Sequence, residues 1–398
     1  MTTDAARRSW GGARPLGAAP AGAIAMLSVS LSVALVGPLG VQLERSLGID
    51  SEYLGILVAL YFAGWVAASP VASALSRRFG PLAVVRTTTI GGGLLLVGMT
   101  VLSNHAWHLA ALMPVSGAAA GIAQPSINAY LASSLPARKL GGAMGLKQAV
   151  SPASSLLAGL AVPTIALTVG WRWAFLVATL PALVTLVLLE RETVERAPRS
   201  EQPAPSALPP LRALVLLMLG SGLATSYAST VLTFVVVSAV RTGLRPAAAG
   251  ILVAVVSSVA VLARVGLGAV ANRLVSRPFR WVTAMVLGGA AGCGLLAVGT
   301  SQHLLAVFAL GAAVAVGVGW GWSGLFYLGV VGSNRGSEAK ATSIVQVGGG
   351  AGTALGPLVF GVVASSLSFT AVWVGAGCVG VAAAFAMVAG SRLVSDRP

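Results

Sequence analysis

From Ala21 to about Leu393 the chain is a succession of apolar stretches, each about 20 to 30 residues long and separated by short polar connectors. A bilayer's hydrocarbon core, about 30 Å thick, takes about 20 helical residues to cross, so each stretch is long enough for one crossing. Spans are predicted at 21–42, 52–75, 82–103, 107–134, 141–166, 171–190, 211–239, 247–272, 280–300, 303–331, 339–365 and 369–391. In 398 residues they leave room for almost nothing else. The expected fold class is therefore all-α, a polytopic membrane protein of twelve transmembrane helices.

Charged residues make up 9% of the chain and hydrophobic ones 56%, whereas a soluble domain carries about 25% charged residues. No separate soluble catalytic domain fits. A net charge of +15 would point to nucleic acid in a soluble protein, but here the basic residues follow the connectors. One side holds Arg7, Arg8, Arg14, Arg77, Arg78, Arg86, Arg138, Lys139, Arg191, Arg196, Arg199, Arg212, Arg273, Arg277, Arg280, Arg335, Lys340, Arg392 and Arg397, which is 19 of the 25 cations. The other side has Arg45, Arg172, Arg241 and Arg245. By the positive-inside rule the first set faces the cytoplasm, with both termini there and the protein in the cell's inner (plasma) membrane. Lipid is then an expected partner, nucleic acid is not, and a monomer is expected. Residues 1–20 hold three arginines and lack the apolar core and cleavage pattern of a removed signal peptide, so the first span is expected to stay as the insertion signal. Cys293 and Cys378 fall inside spans, where they are read as small packing residues without a disulfide.

The one long polar connector, Arg191 to Pro210, carries Glu192, Glu195 and Glu201 among five prolines and reads as a mobile cytoplasmic linker. It divides the chain into a cytoplasmic segment 1–20, a first bundle 21–190, the linker 191–210, a second bundle 211–391 and a tail 392–398. An offset of 198 places Gly121 on Gly319, Gln148 on Gln346, Gly159 on Pro357, Pro163 on Gly361 and Phe175 on Trp373. With six spans per unit, both units start on the same side, so the repeats are parallel and related by an axis along the membrane normal.

The connector after the second span carries Ser73, Arg77, Arg78 and Gly80, and its counterpart after the eighth carries Gly268, Asn272, Arg273 and Arg277. Both resemble the Gly-x-x-x-Asp-Arg-x-Gly-Arg-Arg loop of the major facilitator superfamily. Arg77 stands where the acid belongs, Ser73 replaces the first glycine, Pro81 and Leu82 replace the basic pair, and Val275 replaces the later copy's second glycine. The run Gly170-Trp171-Arg172-Trp173-Ala174-Phe175 is similar to a segment common in bacterial members of that family. The resemblance covers essentially the whole chain. It implies two six-helix halves around a central cavity that opens to either side in turn, with Arg78, Gly80, Gly268, Asn272 and Arg273 as gating elements that do not touch substrate. In the family, drug antiporters often have an arginine four residues before a glycine in span four, where this chain has Met113 before Gly117. Their Gly-Pro signature in span five appears here as Ser151-Pro152 with Ser155-Leu156.

A charge at the centre of a membrane helix costs about 2.5 to 3.5 kcal/mol on insertion scales, so it implies a partner or a function. Two charges lie deep within the predicted spans: Lys147, about two turns into span five, and Arg264, about two turns from the end of span eight. Family architecture would bring both to one part of the cavity. No Asp or Glu lies deep within any span, since Glu44, Asp50, Glu52, Glu190 and Glu338 all sit at span ends. Two cations without an acid call for an anion, so a small organic anion or carboxylate-bearing substrate is expected, held by the Arg264 fork and the Lys147 point charge. The plainer alternative is that Lys147 snorkels to the surface and Arg264 bonds helix carbonyls.

Neutral polar groups are expected to complete the cavity: Ser28, Ser32, Gln124, Asn128 and Gln148 in the first half, and Ser221, Thr225, Tyr227, Ser229, Tyr327 and Gln346 in the second. Trp320 and Trp322 are about 200° apart on a helix, so at most one of them lines the path. The glycine run Gly348, Gly349, Gly350 and Gly352, with Gly356-Pro357, gives span eleven a thin surface and a local break in its hydrogen-bond ladder, and Gly356 and Pro357 are expected to act in gating. Tight packing without motion fits the same glycines.

No convergent His, acid, Cys or Ser set and no Gly-x-x-x-x-Gly-Lys-Ser/Thr loop is present, so an enzyme or an ATP-driven pump is not expected, nor any cofactor or metal. The reading is a secondary transporter. Efflux of a drug or amphipathic natural product is the rival, and a non-transporting receptor or scaffold the alternative from another class.

Overall fold

The structure, a computed structural model, describes residues 17–190, 211–274, 278–334 and 338–395. Eleven helical segments are long and apolar enough to cross a bilayer, and Ala18–Ala34 adds a shorter apolar helix, which completes the twelve-span fold. Span one is α1 (Ala18–Ala34) followed by a turn and α2 (Gly40–Leu47). Span two is α3 (Ser51–Ala68), started by Asp50, whose side chain accepts the Tyr53 N–H at 3.0 Å. A break at Ser69–Pro70 separates it from α4 (Val71–Phe79), where a single longer span was expected.

Spans three and four are α5 (Pro81–Leu102) and α6 (Ala106–Ser134). Span five is α7 (Ala137–Ala161), closed by a π-helical turn over Val162–Ala166, and span six splits into α8 (Trp171–Val177) and α9 (Leu180–Leu189). In the second half α10 (Leu211–Thr242), α11 (Pro246–Leu274) and α12 (Pro278–Ser301) are spans seven to nine. Span ten is α13 (Leu305–Ala312), a π-helical turn over Ala313–Val318 and α14 (Ser323–Gly332), and α15 (Glu338–Ser366) and α16 (Phe369–Ser395) complete the set. α15 continues as a helix through Pro357, whose missing N–H interrupts the ladder locally without ending it, as α6 continues through Pro114 and Pro125.

Leu94, Val101, Val187, Leu262 and Phe385 are all more than 60% exposed. Apolar side chains on the outside of an all-helical bundle suit lipid, where the backbone bonds itself and the side chains need no water. Between helices small residues set the approach, because apolar contact alone gives no preference for a neighbouring helix over a lipid tail. Gly117 and Gly121 of α6 rest on the Tyr61 and Trp65 carbonyls of α3, one turn apart on both helices. Gly348, Gly352 and Gly356 of α15 likewise rest on Met218, Gly222 and Ser226 of α10, so most of this glycine run serves close packing within the second half.

The halves meet along two antiparallel helix pairs, α3 with α15 and α7 with α11. Gly55 abuts the Pro357 carbonyl in the first pair. In the second, Gly159 and Gly250 face each other so closely that a Cβ on either would stand 2.6 or 2.7 Å from the other's carbonyl oxygen. At one end charge joins the halves as well. Arg241 Nη2 lies 3.4 Å from Glu44 Oε1 and 3.4 Å from Ser51 Oγ, and Ser51 donates to Glu44 at 2.7 Å. Nearby, Ser365 donates to Glu52 at 3.4 Å. This end is sealed by residues from both halves.

Candidate functional site: a cationic cavity between the halves

A cavity of about 320 Å³ lies between the two halves, walled by spans one, two, four and five on one side and seven, eight, ten and eleven on the other. Of the thirteen charged and polar residues expected there, eight line it: Lys147, Arg264, Gln124, Gln148, Thr225, Ser229, Tyr327 and Gln346. Gln148 and Gln346, paired by the internal repeat, enter from opposite halves.

Lys147 is only 5% exposed and does not snorkel to the surface. Its Nζ donates to Asn128 Oδ1 at 2.6 Å, which gives Asn128 a place in the site through Lys147 although it does not line the cavity. Arg264 Nη1 donates to the Gln148 carbonyl of span five at 2.8 Å and Nη2 to the Trp320 carbonyl of span ten at 2.9 Å, with the guanidinium 5.1 Å above the Trp320 ring. The guanidinium thus ties the halves together, as the carbonyl-bonding alternative expected, while its Nε–H is buried and has no partner among the described residues. Among the described residues of the lining, Lys147 and Arg264 are the charged ones, and none is a carboxylate.

Tyr227, expected in the cavity, lies away from it. It is fully buried inside the second half, where its hydroxyl donates to the Gly319 carbonyl at 2.6 Å, and it does not line the cavity. Ser28 and Ser32 turn inward as well, Ser28 bonding the Ala25 carbonyl and Ser32 accepting from Ser116 at 2.7 Å. Ser221 is buried outside the lining, whereas Thr225, Ser229 and Tyr327 line it. Of the two tryptophans, Trp320 faces the cavity and Trp322 is buried.

The sequence reasoning missed the aromatic trio Tyr61, Phe62 and Trp65 of span two, along with Ser30, Ser151, Ser154, Ser155, Ser323 and Thr353. Ser151 and Ser154 follow Lys147 at four and seven residues, so the helical face they share was readable in the sequence.

Among the expected gating residues, Arg78 is exposed with its guanidinium 5.2 Å from the Phe79 ring centroid. Gly80 has φ +86° and joins α4 to α5, a conformation that favours glycine. Gly356 and Pro357 sit in the packed seams against Ser226 and Gly55. The side chains at Gly268, Asn272 and Arg273 lie outside the described residues, as do the 191–210 linker and the 1–16 segment. Gly170 also has positive φ, +107°, where it starts α8; Arg172 of the same motif donates to the Ser103 carbonyl at 2.8 Å.

A family model described as the Major Facilitator Superfamily matches residues 22–338, and the chain belongs to that family. It is a multi-pass membrane transporter by fold and family. Its fold is similar to the crystal structure of a D-xylose-proton symporter, with a TM-score of 0.78 at 16% identity over 94% of this chain and 97% of that one. It is also similar to the inward-open xylose transporter XylE from E. coli, with a TM-score of 0.75 at 16% identity over 94% of each chain. A bacterial homolog of the human lysosomal transporter Spinster, inward-facing and occupied, matches with a TM-score of 0.72 at 14% identity over 96% of this chain and 97% of that one. At these identities the likeness concerns the fold. No curated protein matches the chain.

Proposed function

We propose that the protein is a secondary transporter that carries a small organic anion by alternating access, its halves 21–190 and 211–391 rocking about the central cavity. The observation that carries this reading is the pair of cations lining one cavity from opposite halves, with no carboxylate among the described lining residues. Arg264 adds a buried Nε–H without a partner among the described residues, a donor that a carboxylate or similar oxyanion would satisfy. A carboxylate there would also compete with the Gln148 carbonyl for the guanidinium, and so loosen a bond that crosses between the halves. In this way substrate binding and rocking share one residue. The basic connectors support an orientation with both termini cytoplasmic in the plasma membrane, and nothing in the site calls for a second copy of the chain.

Aromatic side chains in the lining favour a second reading, carriage of an amphipathic drug or natural product. Flux in proteoliposomes decides between these and a non-transporting receptor. Carboxylate uptake is expected, and Arg264→Gln is expected to lower it at least thirtyfold, about the loss of one charge-assisted hydrogen bond. Equal uptake by a correctly folded Arg264→Gln protein would remove the anion reading, and uptake of neutral amphiphiles alone would establish the rival.

A further inference from the structure

Two groups of aromatic side chains differ in what they face. Trp322, Trp373, Tyr130, Phe234, Phe308 and Phe326 are less than 2% exposed and fill the interiors of the halves. Phe62, Trp65, Trp320 and Tyr327 are only partly covered, yet all four line the inter-half cavity, so the surface they expose faces into it. Phe62 and Trp65 come from span two of the first half, Trp320 and Tyr327 from span ten of the second.

Two bare positions of span eleven bring these walls together. A Cβ at Gly350 would stand 3.2 Å from the Trp65 ring, and one at Gly349 would stand 3.7 Å from the Tyr327 hydroxyl. Rings from opposite halves therefore reach neighbouring residues of one helix. The cationic groups border the same space, and the Arg264 guanidinium already lies over the Trp320 ring. At about 320 Å³ the cavity is at the lower end of ligand pockets, roughly 300 to 1,000 Å³, which suits one ring with a short acidic side chain.

From this we infer that the transported anion is a small aromatic carboxylate, its ring held among Phe62, Trp65, Trp320 and Tyr327 and its carboxylate met by Arg264 and Lys147. This rests on the anion reading and adds the ring. Partly exposed aromatic faces stack on planar rings better than on puckered ones, whereas simple removal of apolar surface from water favours a saturated ring of equal carbon count.

The test is a ligand series on the purified wild-type protein by calorimetry, with benzoate, cyclohexanecarboxylate, acetate and benzamide. Benzoate is expected to bind about five- to tenfold more tightly than cyclohexanecarboxylate, the order of one aromatic contact, with acetate far weaker and benzamide silent. Trp320→Leu is expected to abolish the preference between the two six-membered rings. Equal binding of benzoate and cyclohexanecarboxylate by the wild type would overturn the aromatic inference and leave the anion reading standing. Benzamide binding as tightly as benzoate would overturn the anion reading, and so would the failure of every carboxylate to bind.

Discussion

The sealed end and the cavity use charge between the halves in opposite ways. At the sealed end Arg241 faces Glu44, and Ser51 and Ser365 bond the two glutamates of that region. In the cavity Lys147 faces a neutral amide and Arg264 faces two main-chain carbonyls. A seal can satisfy its charges from within the protein. A binding site that did so would have nothing left for its ligand, and the contrast is the one that the proposed anion site would require.

The most drastic way to break the comparison is to remove the wall on which both regions depend. Gly352 of α15 touches the Gly222 carbonyl of α10 so closely that any Cβ there collides with backbone. Gly352→Val is expected to abolish recovery of monodisperse protein by size-exclusion chromatography, while Gly142→Ala, where a Cβ meets nothing within 4 Å, is expected to leave it unchanged. Comparable yields of the two variants would show that α10 and α15 need no such approach.

A second change makes the cavity resemble the seal. Asn128→Asp keeps an acceptor 2.6 Å from the Lys147 ammonium but adds a carboxylate. Carboxylate binding is expected to weaken about tenfold or more, because the internal charge pair replaces the ligand, while the melting temperature holds or rises. Unaltered affinity by calorimetry would mean that Lys147 takes no part in binding.

The converse change makes the seal resemble the cavity, and its effect should be the smallest. Arg241 is 49% exposed, so its pairing with Glu44 is worth at most about 1 kcal/mol. With a cysteine at Ser229 in a cysteine-free background, Glu44→Gln is expected to speed maleimide labelling by about fivefold or less. A much larger acceleration would make this contact the dominant latch.

Much of the fold was legible because span length and hydropathy are read directly from residue type. Lys147 and Arg264 were legible for a related reason: a charge in an apolar helix stands out wherever the helix points. Neutral residues carry no such mark. Thr225 and Ser229, one turn apart on α10, line the cavity, while Tyr227 between them is about 200° from its nearest neighbours' common face when counted two residues at a time and points into the second half. The sequence gives such a periodicity but not its zero, and Ser28, Ser30 and Ser32 show the same thing, with only Ser30 in the lining. The aromatic wall of span two was hidden because Tyr, Phe and Trp serve equally well against lipid, core or ligand.

The π-helical turns at Val162–Ala166 and Ala313–Val318 have a consequence for the phase of their spans. The Leu167 N–H bonds back five residues to the Val162 carbonyl, and the Gly319 N–H bonds back five to Val314, so each turn holds one residue more than an α-helical turn would. Spans five and ten are not mates in the internal repeat, so each turn changes the helical phase of a span whose mate in the other half has no such turn. Deleting a single residue inside either turn would restore the α-helical count and rotate everything beyond it by about 100°, carrying Trp320 away from Arg264 in span ten.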